Sequence, residues 1–194
     1  MMLRILSLVI ALCFGLGFGA TDSVRAASAY QAYAKKLLSN APDGVRLRPD
    51  LEAFLLKTLN AYRKSQGRPA LAGSNAATIA ARSQALEMLI GNFVGHQSAG
   101  GYRFAQRVEA FVGETRASAE NAARDRLPGP ADETKARRLF QQWVDSRGHR
   151  RNMLSPDYEE VSTGVIEVGN HIYAVQIFWT RRATQDGLAA FRSW

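Results

Sequence analysis

Three histidines occur in the chain, at positions 96, 149 and 171, and the first two keep company that could do chemistry. His149 lies in the run Trp143-Val144-Asp145-Ser146-Arg147-Gly148-His149-Arg150-Arg151-Asn152-Met153-Leu154, which packs a large aromatic, an imidazole, adjacent arginines and a Met-Leu pair into twelve residues. Gly148, directly before His149, is expected to let the backbone turn sharply there, so that the imidazole is aimed independently of the preceding helix. His96 sits upstream in a glycine-rich stretch, and Glu120 lies between them in Ala119-Glu120-Asn121-Ala122-Ala123. Two neutral imidazoles and a carboxylate gathered in one cleft make a sound ligand set for a divalent metal, with a position left for water, and zinc would suit it. Such a site could activate water for hydrolysis. The competing reading is a hydrogen-bonded polar cluster that orders the cleft, with neither metal nor turnover. His171 follows Gly169-Asn170 and reads as an exposed turn histidine, not a ligand. Arg150-Arg151 could form a basic lip for an anionic ligand. The commoner arrangement is one arginine bracing the loop through carbonyls and the other solvated. Glu109, Glu114 and Glu133 read as surface charge.

The elements that must position these residues follow from periodicity. Residues 27–48 read as a lead-in arm with a short helix over Tyr30 to Asn40, broken by Ala41-Pro42-Asp43-Gly44. Asp50 is expected to cap a strong helix in which Leu51, Phe54, Leu55, Leu59 and Tyr62 recur at helical spacing, ended by Gly67 and Pro69. A second helix starts after Ser74 or Asn75, with Ile79, Leu86 and Ile90 as its apolar face, and ends near Gly91-Asn92. Tyr102 to Ala110 forms a short helix, and Glu120 falls at or beside a strand or tight turn. Asp132 or Thr134 begins a third main helix that buries Ala136, Leu139, Phe140, Trp143 and Val144 and stops before Gly148. Val161–Val168 and His171–Trp179 flank Gly169-Asn170, a two-residue hairpin signal. Both faces of these strands are apolar, so both must be covered. Helices before a doubly covered hairpin imply an α+β domain, a three-layer α-β-α sandwich around a mainly antiparallel sheet. Trp143 and Trp179 each sit on an apolar periodicity and belong to the core.

The chain opens like an export signal. Arg4 supplies a basic start, Ile5 to Leu16 is an uncharged apolar run, and small residues follow at Val24-Arg25-Ala26 and Ala27-Ser28-Ala29, either of which could be cleaved. The run is shorter than the roughly 20 residues of a spanning helix, which favours cleavage over a membrane anchor. Cys13 is the only cysteine and lies inside this run behind Leu12, where a lipoprotein site needs a small residue. The mature chain would therefore hold no disulfide, although exported proteins may form them freely. The remaining ~165 residues suit one domain stabilised by packing alone. The order expected is signal peptide 1–26, arm 27–48, domain 49–182 and tail 183–194. Net charge is +8, and losing Arg4, Arg25 and Asp22 with the signal leaves +7. Such a surface favours anionic partners, while the absence of aromatic-interleaved basic motifs argues against nucleic acid.

Together these residues resemble the CAP superfamily of cysteine-rich secretory proteins, insect venom antigens and plant pathogenesis-related proteins, in its bacterial secreted branch. Leu59-Asn60-Ala61-Tyr62-Arg63 with Gly67, Pro69 and Leu71 is similar to the family's first-helix signature, and Ala80-Ala81 through Met88 to its second. His96 is similar to the first site histidine, and Glu120-Asn121-Ala122-Ala123 to the Gly-Glu-Asn-Ile-Ala motif. Trp143, Ser146, Gly148, His149, Arg150, Asn152 and Leu154 match Trp-x-x-Ser-Pro-Gly-His-Arg-x-Asn-Ile-Leu, and Gly164-Val165 and Gln176-Ile177-Phe178-Trp179 resemble the closing strands. The resemblance covers about residues 51 to 180. Departures are Ala119, Ala122, Arg147 and Met153, and a second glutamate of many eukaryotic members is replaced at Ser146. The resemblance implies an α-β-α sandwich with a cavity, metal binding in some members and no general catalytic activity.

The leading expectation is an exported binding or interaction module of the cell envelope or medium, its cleft lined by His96, Glu120, His149, Ser146 and Arg150. The ligand would be lipid-like, glycan or protein. The second is a divalent-metal hydrolase using His96, Glu120 and His149, and the third a structural envelope protein with a vestigial cleft. The chain has no Gly-x-Ser-x-Gly, His-Glu-x-x-His or phosphate loop to nominate other catalytic residues.

Overall fold

The computed structural model describes residues 19–182 and builds them as helices on both faces of a five-stranded sheet. The expected signal peptide falls largely on residues 1–18, and the tail on 183–194, outside the described residues. The chain order is α1 (Gly19–Ser39), β1 (Val45–Leu47), α2 (Pro49–Ser65), β2 (Ala72–Gly73), α3 (Thr78–Ile90), α4 (Phe104–Val112), β3 (Thr115–Asp125), α5 (Glu133–Asp145), α6 (Arg147–Leu154), β4 (Glu160–Val168) and β5 (His171–Arg181).

The hairpin is the spine of the molecule. β4 and β5 pair antiparallel from Glu160↔Trp179 to Val168↔His171, leaving Gly169 and Asn170 as the turn. Alternation sends Ile166, Tyr173, Val175, Ile177 and Trp179 to one face, where α1, α3 and α4 cover them. Val161, Val165, Ile172, Ala174 and Phe178 face the other way, under α2, α5 and α6. Two cores therefore share one sheet, which makes the α+β three-layer α-β-α sandwich. β3 pairs along the free side of β5, and Glu120 sits opposite Ile177. On the outer side of β4, β1 pairs antiparallel at one end and β2 parallel at the other. These two short strands, of three and two residues, carry too little pattern to stand out in the sequence.

The long outer strands are partly covered along their free sides. The β4 edge is covered at its ends by β1 and β2, and the Val165 N–H between them donates to a Glu52 carboxylate oxygen at 3.0 Å. On the β3 edge, Asn152 Nδ2 donates to the Glu120 carbonyl at 3.4 Å and Gln142 Nε2 to the Arg124 carbonyl at 3.2 Å.

Several local expectations are corrected. Asp50 does not cap α2: Arg48 holds that position, Pro49 opens the first turn, and the Asp50 carboxylate is drawn to the Arg48 guanidinium at 2.8 and 2.5 Å. Asp132 does cap α5, accepting from the Lys135 N–H at 3.0 Å. Gly148 makes no sharp turn; it lies inside α6, and the chain changes direction two residues earlier, at extended Ser146. Ile90 is 55% exposed, since α3 turns it away from the sheet that buries Leu86. The lead-in arm is a longer helix than expected, α1, which docks Tyr30 and Ala34 into the first core.

Candidate functional site

Glu120 stands mid-strand in β3 with its side chain 2% exposed. A carboxylate so placed needs charged or hydrogen-bonding partners. Arg107 of α4 supplies them as a two-pronged pair: Nη1 donates to Oε2 at 3.0 Å and Nη2 to Oε1 at 3.1 Å. The guanidinium is itself fully buried, lies 5.5 Å from the Phe104 ring centroid, and also donates to the His96 carbonyl at 2.9 Å. His96 completes the group, its Nδ1 lying 3.0 Å from Glu120 Oε1. An ionised carboxylate only accepts, so Nδ1 must carry the proton. The neutral His96 ring then keeps its Nε2 lone pair as an acceptor, on a side chain that is 55% exposed.

The segment holding His96 is irregular yet tightly held. Gln84 Nε2 of α3 donates to the Gly95 and Gln97 carbonyls at 2.7 and 3.3 Å. The buried Glu87 carboxylate accepts from Ser98 Oγ, the Ala99 N–H and Tyr33 Oη, each at 2.8 Å. Beside it lies an open depression of about 450 Å³ lined by His96, Gln97, Ser98, Gly101, Tyr102, Arg103 and Phe104.

His149 approaches from the opposite layer on α6. Asn121 of β3 donates to its carbonyl at 3.2 Å, and Asn152 donates to Asn121 Oδ1 at 3.0 Å. The buried Arg63 guanidinium fixes the other end of α6 through the Met153 and Ser155 carbonyls at 2.6 and 3.1 Å. His149 Nδ1 is buried without a hydrogen-bond partner among the described residues. Burial, and then the charge of His96, pull the His149 pKa below the ordinary histidine value. His96 moves the other way, raised first by its hydrogen bond to Glu120. The two imidazoles are thus shifted in opposite directions.

The remaining expected residues lie on the α5–α6 junction, at the hairpin turn or on the surface. Ser146 occupies the N-cap position of α6, and its hydroxyl makes no capping bond. Arg150 is exposed and donates from Nη1 to the Val144 carbonyl at 2.8 Å, bracing the α5–α6 junction. His171 begins β5 at the hairpin turn, six residues from Ile177, the partner of Glu120. That is about 20 Å along the strand. Glu109, Glu114 and Glu133 are exposed.

A divalent ion does not fit this arrangement. Both Glu120 oxygens already accept from a buried cation, and His96 presents a protonated nitrogen to the same carboxylate. Among the described residues, no group of three His, Cys, Asp or Glu side chains is placed to hold a metal. Arg107 is the residue that sequence reasoning missed. The signal was present, because Arg107 lies on the apolar stripe of α4 with Phe104, Val108 and Phe111, and a charge at such a position demands a buried partner.

The model of the cysteine-rich secretory protein family, CAP, matches residues 56–180. The chain belongs to the CAP family. YkwD, an uncharacterized protein of Bacillus subtilis strain 168, is 27% identical over 119 residues, covering 61% of this chain and 44% of that one. The chain therefore spans less than half the length of that curated relative. An outer surface protein from Borrelia burgdorferi is similar in structure with a TM-score of 0.60 and 15% identity, covering 70% of this chain and 96% of that one. An extracellular protein containing an SCP domain from Bacillus anthracis strain Ames gives 0.56 and 21%, covering 69% and 41%. At such identities the two structures establish the CAP fold. No described helix is long and apolar enough to cross a membrane.

Proposed function

We propose that this CAP-family chain is an exported binding module of the cell envelope or medium, whose cleft recognises its ligand by hydrogen bonding and does not hydrolyse it at a metal centre. The observation that carries this is the Arg107–Glu120 pair. A buried guanidinium bonded to both oxygens of one carboxylate disfavours its use as a metal ligand or as a base for water. The polar groups left for a ligand are the outer nitrogen of His96 and the imidazole of His149, one held by Glu120 and the other without a bond at Nδ1. A site that is rigid, polar and already charge-balanced is suited to binding. Export is supported by the Arg4 and Ile5–Leu16 pattern.

Two measurements test the reading. Calorimetric titration of zinc into metal-free protein at neutral pH should show no saturable binding. Stoichiometric binding that disappears with His149→Ala would restore the metal site, and turnover of an ester, amide or glycoside lost with Glu120→Gln would restore the hydrolase. Protein incubated with an isolated envelope fraction should be retained, and His149→Ala should release it while His171→Ala should not. Equal retention of both variants would remove the cleft from the binding function.

A further inference from the structure

Beside the cleft, the end of β3 and the α3–α4 connection meet in a patch of unusual composition. Arg124 and Arg126 lie two residues apart and so extend to one side of the chain. Their guanidinium groups converge on a single neutral acceptor: Nη1 of each donates to Asn92 Oδ1, at 3.0 and 2.8 Å. Asn92 has a φ of 51°, the only non-glycine residue in the left-handed region among those described. That conformation carries a local cost in backbone energy. Neither arginine has a carboxylate partner among the described residues. Asp125, between them in the chain, points to the opposite face of the sheet, where it pairs with Arg138 at 2.9 Å.

Apolar side chains flank these arginines in the open. Ile90 and Val94, 55% and 46% exposed, lie two residues either side of Asn92, and Leu127, 60% exposed, follows Arg126 directly. Ile90, Val94 and Leu127 are three of the five large apolar side chains that the described residues leave exposed. Exposed apolar residues around unpaired guanidinium groups match the two halves of an anionic lipid surface, with phosphate outside and hydrocarbon beneath.

We propose that this patch docks the protein peripherally on anionic bilayers, with Arg124 and Arg126 on lipid phosphates and Ile90, Val94 and Leu127 entering the acyl boundary. Charge complementarity selects the occupant, since a neutral protein face would leave two guanidinium groups uncompensated. The surface is distinct from the His96–His149 cleft, and docking there does not depend on what the cleft binds. Its position has a consequence for the cleft, however. Arg124 is four residues from Glu120 on β3, about 13 Å along the strand, so docking would hold the cleft beside the membrane.

Co-sedimentation of the full chain with phosphatidylcholine vesicles, with and without phosphatidylglycerol, tests this. The protein should pellet with the anionic vesicles, remain in solution with the neutral ones, and be released by added salt. Arg124→Ala combined with Arg126→Ala should lower the partition coefficient roughly thirtyfold, from about fivefold per basic residue at an anionic surface. Leu127→Ser should lower it several-fold with both arginines intact. All three residues are exposed or at the rim, and an unchanged melting midpoint would show that the fold is kept. Equal pelleting with both vesicle types, or a double-arginine variant that pellets like the wild type, would overturn the proposal. Displacement by low millimolar inorganic phosphate at constant ionic strength would overturn it in favour of a free-anion site.

Discussion

At the scale of single residues, the site is governed by one buried ion pair. Arg107 and Glu120 pair in a region with almost no solvent, leaving only the guanidinium Nε without a partner among the described residues, so neither can be removed alone without stranding the other's charge. Glu120→Gln should cost roughly 3–5 kcal/mol in urea unfolding, because it leaves the guanidinium uncompensated. A smaller loss, below about 1 kcal/mol, would show that water reaches Arg107. The two histidines should titrate on opposite sides of about 6.5, the ordinary histidine value. His96 is raised, so its contribution to stability is complete below that value and is lost as pH climbs through its folded pKa. His149 is depressed, so its contribution is complete above that value and is withdrawn as pH falls toward its folded pKa. Imidazole proton shifts followed by NMR from pH 4 to 9 would read both directly. Two coincident midpoints would contradict the assignment. Of this cluster, His96, Glu120 and His149 were legible in the sequence as candidates. That Arg107 bonds both Glu120 oxygens was not, because the α4 stripe marks Arg107 as needing a buried partner without saying which one.

At the scale of elements, strong periodicity was sufficient where one face of a segment decides its packing. The α5 stripe through Leu139, Phe140 and Trp143, and the alternation of β4 and β5 around Gly169-Asn170, are both found in the structure. β3 was harder to see, since Thr115–Asp125 is rich in alanine and charge and owes its extended form to pairing with β5. The short helix α6 was read as a loop because Gly148 disfavours helix, a preference overridden by the anchors at Arg63, Asn121 and Asn152. Trp143 is fully buried, and Trp143→Ala should destabilise by about 3–5 kcal/mol in denaturant. A wild-type midpoint would mean the second core closes without it. Gly164 marks where α3 meets the sheet: an added Cβ would lie 2.3 Å from the Arg82 backbone nitrogen. Gly164→Ala should therefore cost about 1–3 kcal/mol or more by forcing α3 away from β4. A variant as stable as the parent would show that the helix can shift freely.

At the scale of the whole molecule, the three layers depend on a single sheet that is buried on both faces, with no disulfide to hold them. Residues 1–26 carry the pattern of an export signal, and cleavage at either expected site would leave Tyr30 and Ala34 to dock the rest of α1. Intact-mass measurement on protein from the native host should give a mature start near Ala27 or Tyr30. Recovery of the full-length chain from soluble cytosol would contradict export. A sheet of this kind also faces a hazard that the covering of its rims addresses. Exposed strand edges invite a second copy to add its own strand and seed fibrils. Here the β1 and β2 segments cap one rim, while Asn152 and Gln142 occupy carbonyls of the other. Replacing both side chains, as Asn152→Ala with Gln142→Ala, should shorten the lag of thioflavin-positive aggregation under mild heating. The polar side chains that seat α6 and α5 against β3 would then also serve as guards against self-templating.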